Sequence, residues 1–152
     1  MAIKQIIPHL IVSGGPAAVR FYQEALGAVV MNMMLTPDGQ KLMHAAMNLG
    51  GAHFFVCDEF PDLQGGMKRS PTSLGGSSLT LHIDVADCDE AMQRFAAAGG
   101  TIRLAPMDAF WGDRYGKGID PFGHEWSFGS PLSVERAEAA AKAWAEFQKS
   151  PG

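Results

Sequence analysis

Leu81–Gly100 reads LHIDVADCDEAMQRFAAAGG, and Pro8–Gly27 reads PHLIVSGGPAAVRFYQEALG. The two stretches lie 73 positions apart and share a plan. His82 falls on His9, Ile83 on Leu10, Val85 on Val12, Ala91 on Ala18, Phe95 on Tyr22 and Gly100 on Gly27. Each begins as a short alternating strand, breaks, continues with apolar residues at helical spacing, and stops at glycine. Such an internal repeat predicts two like halves, because each unit leaves an apolar face that the other must cover.

Working outward, Ile6–Val12 is expected to be the first strand, with Pro8 at its edge. Gly14-Gly15-Pro16 breaks it and puts proline in a helix's first turn, where a missing N–H costs little. Ala17, Val19, Phe21, Tyr22, Ala25 and Leu26 give the helix its apolar face, and Gly27 ends it. Three strands follow, at Ala28–Leu35, Met43–Asn48 and Ala52–Cys57, with turns at Thr36–Gly39 and Gly50-Gly51. In the second half, Asp87 and Glu90 stand at capping-box spacing. Strands are expected at Thr101–Pro106, Asp113–Ile119 and His124–Gly129, with Asp120-Pro121-Phe122-Gly123 as a type I turn. The chain therefore divides into a module at 4–60, a Gly/Ser/Pro-rich linker at 61–77 and a module at 78–131. Ser133 then caps a helix over 133–149, whose stripe Val134, Ala137, Ala141, Trp144 and Ala145 is expected to pack on its own sheet.

A length of 152 residues fits one domain. Charged residues make up 18% and the net charge is −4, with no basic stripe, which argues against a nucleic-acid partner. No apolar run nears the roughly 20 residues of a membrane span, and MAIKQIIPHL lacks a secretory leader's pattern. Two cysteines, Cys57 and Cys88, make neither a disulfide framework nor a zinc motif. A cytoplasmic setting is expected.

The phrases PHLIVSGGPAAVRFYQEALGA, DGQKLMHAAMNLGGAHFFVCDE, SPTSLGG and WGDRYGKGIDPFGHEWSF resemble the vicinal oxygen chelate superfamily. That group includes glyoxalase I, extradiol dioxygenases and bleomycin-resistance proteins, and the chain is most similar to its PhnB-like branch. The resemblance runs to Pro131 and implies an α+β fold. In that fold two tandem β-α-β-β-β modules curl around a cavity, usually in a homodimer, and here a C-terminal helix is added. It also implies that a small molecule is the partner.

In metal-dependent members, the positions of His9 and His82 supply ligands, joined by an acidic residue from each half's last strand. Those acidic positions here are Phe55 and Ser127. Two histidines alone fall short of the three protein ligands of a catalytic zinc site. Glu125 is a candidate substitute, being two residues from Ser127 and so on the same face, and His44 and His124 are further donors. The candidate metal set is thus His9, His82 and Glu125, for Zn, Ni, Fe or Co; neutral, hydrogen-bonded histidines are the plainer reading.

WGDRYGKG, Trp111–Gly118, is not a phosphate loop, for its glycine spacing is short and no hydroxyl follows the lysine. It reads as a hairpin in which Trp111 and Tyr115 wall a pocket and Arg114 meets an anion. The alternative makes Trp111 core and pairs Arg114 with Asp113. The expected pocket comprises His9, Phe55, His82, Trp111, Arg114, Tyr115, Trp126 and Ser127. Met31 and Met33 share one strand face, as do Met43 and Met47, and core packing is favoured over an adaptable ligand surface. No nucleophile motif is present, and both cysteines read as structural thiols.

Three functions remain open. One is a small-molecule-binding protein without an essential metal. The second is a metal-dependent glyoxalase-like lyase, isomerase or dioxygenase. The third is a non-catalytic interaction module whose cavity is filled by Phe55 and Trp126.

Overall fold

The computed structural model describes residues 1–63 and 65–150. The elements run β1 (His9–Val12), α1 (Gly15–Leu26), β2 (Val29–Leu35), β3 (Leu42–Leu49) and β4 (Ala52–Asp58). After a short helical turn, α2 (Pro71–Leu74), they repeat as β5 (Thr80–Asp84), α3 (Cys88–Ala97), β6 (Thr101–Asp108), β7 (Asp113–Ile119) and β8 (Glu125–Pro131), and end with α4 (Val134–Phe147). The strands form two four-stranded mixed sheets of like topology, β1-β4-β3-β2 and β5-β8-β7-β6, curled but not closed. The duplicated order read from the sequence is therefore the fold.

Local chemistry explains the boundaries. Gly27 takes a left-handed conformation (φ 72°), and the Ala28 N–H bonds back to the Tyr22 carbonyl at 3.1 Å, closing α1. Asp87 caps α3 by accepting from the Glu90 N–H at 3.0 Å, and Ser133 caps α4 through the Arg136 N–H. The first strand begins at His9 rather than Ile6, since a proline cannot donate to the ladder from Pro8. The linker carries more structure than its composition suggested. Glu59 accepts from the Arg69 and Ser70 N–H groups and from the Ser73 hydroxyl, which pins α2 to the end of β4.

One core serves both modules. Leu10, Val12, Met47, Phe54 and Val56 line one sheet's inner face, and Trp126 and Phe128 line the other's. Tyr22 of α1 bridges them, its ring 5.5 Å from both Phe54 and Trp126. Phe95 of α3 lies 5.4 Å from Phe21 and from Phe128. Gly116 and Gly118 of β7 present no side chain where Met92 and Phe95 press down, which lets α3 sit close on its sheet. Arg94 of α3 donates to the Glu24 and Gln23 carbonyls, tying the two helices at α1's C-terminus.

Two buried carboxylates fasten this core. Asp120 accepts from the Tyr22 hydroxyl (2.7 Å), the Trp126 indole N–H (2.9 Å) and the Phe122 and His124 N–H groups. Asp58 accepts from the N–H groups of Gly14, Gly15 and Leu42. Trp126 is thus a core residue, and its edge also lines a small cavity shared with His82.

The methionines divide in a way simple alternation does not foresee. Only Met47 of the four is buried, while Met31, Met33 and Met43 are exposed. Register shifts in β2 between Val30 and Asn32, and again between Met34 and Leu35, break the period of two. The stripe of α4 is also not buried. No residue of that helix is, although Trp144 stacks on Phe110 at 4.7 Å.

Candidate functional site

Because the inner faces share a core, each sheet turns its other face outward. On the first, His9 stands opposite Phe55 across the β1–β4 ladder, and Phe55 opposite Ala46 on β3. The His9 and His44 rings meet edge to face at 6.0 Å, and both approach Phe55, at 5.8 Å and 4.8 Å. Met34 pairs with His44 on the same row and is exposed. The result is an imidazole pair set in an apolar surface.

Partial burial, and secondarily the nearby His44, hold the His9 pKa below its ordinary value. The sign of the consequence is fixed. The folded protein takes up this proton less readily than the unfolded chain, so the His9 contribution is intact above the ordinary imidazole value of 6.5. It is lost as pH falls from there toward the lowered folded value. In His44→Phe, where the like charge is gone but burial stays, the His9 titration followed by NMR is expected to move up toward that ordinary value. An unchanged midpoint would leave burial as its sole cause.

On the second sheet, His82 stands opposite Ser127, and Ser127 opposite Lys117. The His82 ring bonds through Nδ1 to the Ser127 hydroxyl at 2.8 Å and through Nε2 to Asp84 at 3.1 Å. Tyr115 stacks near it at 6.0 Å, and Trp111 meets Tyr115 edge-on at 5.1 Å. One row away, Glu125 accepts from Thr80 and from Lys117, the latter at 2.9 Å. The bonds from Thr80 and then Lys117 hold the Glu125 pKa below its usual value, and that to Glu125 raises Lys117's.

Ser, His and Asp in sequence suggest nucleophilic chemistry, but Ser127 is only 1% exposed and lies under the His82 ring. No incoming carbonyl has access to its hydroxyl there. Both cysteines are buried, and burial is the first cause raising each thiol's pKa, so neither is an activated nucleophile.

The structure separates several residues grouped by sequence. His9 and His82 lie on different sheets, His9 beside His44 and Phe55 and His82 beside Ser127 and Asp84. Arg114 is not free for an anion, nor paired with Asp113. It makes a two-pronged bridge to Asp89, both contacts 2.8 Å, and a third bond to Asp108 at 3.1 Å. Asp113 instead accepts from the Trp111 indole at 2.9 Å. His124 bonds the Ile11 carbonyl at 2.9 Å, so it is a tie between modules. Phe55, His82, Trp111, Tyr115 and Glu125 do lie on the open faces or their margins, while Ser127 is buried beneath His82.

Among the described residues, no three His, Cys, Asp or Glu side chains converge on a point that could hold an ion. Among the described residues no helix is long and apolar enough to cross a membrane.

Comparison with known proteins follows the same outline. A model of the Glyoxalase/Bleomycin resistance protein/Dioxygenase superfamily matches residues 3–128. An uncharacterized protein of Mycobacterium bovis is 45% identical over 125 residues, 82% of each chain. Among solved structures, a gene product of Arabidopsis thaliana aligns with a TM-score of 0.67 and 26% identity, covering 84% of this chain and 99% of that one. A fosfomycin resistance protein of Listeria monocytogenes, solved with Mn(II) and sulfate, aligns with a TM-score of 0.63 at 14% identity, covering 93% and 99%.

Proposed function

Because the chain belongs to the glyoxalase/bleomycin resistance protein/dioxygenase superfamily, we propose that it binds a small organic molecule on the open sheet faces without an essential metal ion. The observation that carries this reading is the ladder register. The residues directly opposite His9 and His82 are Phe55 and Ser127, neither of which supplies a carboxylate to an ion. Asp84, the acid nearest His82, is already bonded to that ring, and Glu125 is held by Lys117 and Thr80. A divalent metal therefore does not fit the residues that one chain brings together.

What the open faces do offer is apolar surface beside a few polar groups. Phe55 and Met34 lie beside the His9–His44 pair, while His82, Lys117 and Tyr115 mark the other face. That mixture of apolar area with sparse hydrogen-bonding groups suits a small-molecule site. The reading extends to a homodimer in which a second copy covers these faces, to the PhnB-like branch, and to the cytoplasm. Exposed Met31, Met33, Met34 and Met43 on one sheet support the dimer, and two buried free thiols support a reducing compartment.

The test is metal content of untagged protein, followed by Ni²⁺ and Co²⁺ titration of the wild type, His9→Ala and His82→Ala. Metal well below one ion per chain, with all three proteins titrating alike, is the expected result. Near-stoichiometric metal lost in either variant would replace this reading with a metal-dependent lyase or dioxygenase, assembled across two copies. Light scattering against dilution checks the dimer.

A further inference from the structure

A cavity of about 680 Å³ opens between α4 and the outer edge of the second sheet. The region matched by the family model stops at residue 128, before α4. We propose that α4 makes a second wall for an uncharged, flat aromatic small molecule, held between Trp144 on the helix and Trp111 and Tyr115 on the sheet. The inference rests on reading the open face of the second sheet as ligand-binding.

Three observations carry it. The first is shape. Ala139, Ala140 and Ala143 face the cavity from the helix, and their small side chains leave space beside Leu104 and Met107 of the size small ligands fill. The second is the orientation of the rings. Trp144 stacks on Phe110 (4.7 Å, 13°) and lies nearly parallel to Phe147 (5.6 Å, 25°), so the helix side of the cavity is an aligned set of rings that a planar ligand would extend. Trp111 stands edge-on to Phe110 and to Tyr115, both at 5.1 Å. A planar ring entering here stacks on one side and meets edges on the other, the two arrangements aromatic pairs prefer.

The third observation is charge. The charged groups at the margin satisfy one another: Arg136 makes two bonds to Asp108, while Arg114 bridges Asp108 and Asp89. Nothing is left over for a charged ligand. A polypeptide strand is also a poor occupant, since its backbone N–H and C=O groups would lie against a mostly apolar wall without partners.

The probe is N-phenyl-1-naphthylamine, an uncharged aromatic dye that fluoresces when buried, titrated into the full chain. Wild type is expected to bind it saturably, one dye per chain. Trp144→Ala, which removes a stacking face, and Ala140→Trp, which fills the cavity, are each expected to weaken binding about tenfold. As no α4 residue is buried, both variants keep the core, which circular dichroism and the thermal midpoint verify. Absence of saturable binding by wild type overturns the inference. So does equal affinity in all three proteins. If Phe55→Ala or His82→Ala weakens binding while Trp144→Ala does not, the α4 wall fails and open-face binding stands. If instead Trp144→Ala binds normally but loses a dimer that wild type keeps, the helix face belongs to a second copy.

Discussion

Asp120→Ala is expected to cost on the order of 3–5 kcal/mol, a large part of the roughly 5–15 kcal/mol that holds a domain folded. The carboxylate is 3% exposed and collects four donors from three parts of the chain. Alanine leaves the Tyr22 hydroxyl, the Trp126 indole and two backbone N–H groups without acceptors in an apolar interior. Orphaned buried donors each cost about 1–3 kcal/mol, and water has no open route to them. Asp120→Asn should also be strongly destabilised, because one of the two acceptor oxygens becomes an NH₂ aimed at donors. Tyr22→Phe, which removes one donor and leaves the carboxylate three partners, is expected to cost only about 1 kcal/mol. Urea unfolding of the three variants measures the order. Equal stability of Asp120→Ala and wild type would remove the carboxylate from the core's support. Burial first, and then Asp120, push the Tyr22 hydroxyl well above its ordinary pKa. Its phenolate should therefore appear only when alkali unfolds the protein, which ultraviolet difference spectra would register.

Gly15→Ala is expected to be the second severe change, at about 2–4 kcal/mol. A Cβ built there runs into the Leu42 Cβ and the Asp58 carboxylate. Neither is the free end of a flexible chain. Asp58 is fixed by its bonds to the Gly14, Gly15 and Leu42 N–H groups, so relief at one contact breaks another. Gly39→Ala makes the contrast. There a Cβ meets nothing, and only the left-handed backbone (φ 71°) resists it, worth about 1 kcal/mol. Thermal midpoints should fall in that order, and a milder effect at Gly15 than at Gly39 would contradict the packing described.

These two latches mark where sequence reading stopped. The repeat was legible because strand–helix periodicity and glycine stops are local signals, and the 73-residue offset put His9 and His82 in equivalent register. Phe55 and Ser127 were picked out by the family resemblance, and the ladders set them opposite those histidines. Asp120, by contrast, reads as a turn residue in Asp-Pro-Phe-Gly, since nothing local tells that Tyr22 will arrive from 98 residues away. Arg114 likewise looked free because Asp89 is 25 residues distant, on another element. Which sheet face becomes interior depends on how the modules meet. Trp126, an aromatic on a strand next to the candidate site, could be assigned only once Tyr22 and Phe54 were seen beside it. The exposed methionines escaped alternation because bulges are not written in residue type.

The split between inner and outer sheet faces has a consequence for how such a chain can change over generations. Along β4 and β8, Phe54, Val56, Trp126 and Phe128 are committed to packing, whereas Phe55 and Glu125 between or beside them are not. A substitution at an outward position alters what the surface recognises while drawing little on stability; one at an inward position does the reverse. Chemistry and foldability thus sit on alternate residues of the same strand. A lineage can exchange a carboxylate for Phe55 or Ser127 and keep its architecture, so recognition can diverge faster than form.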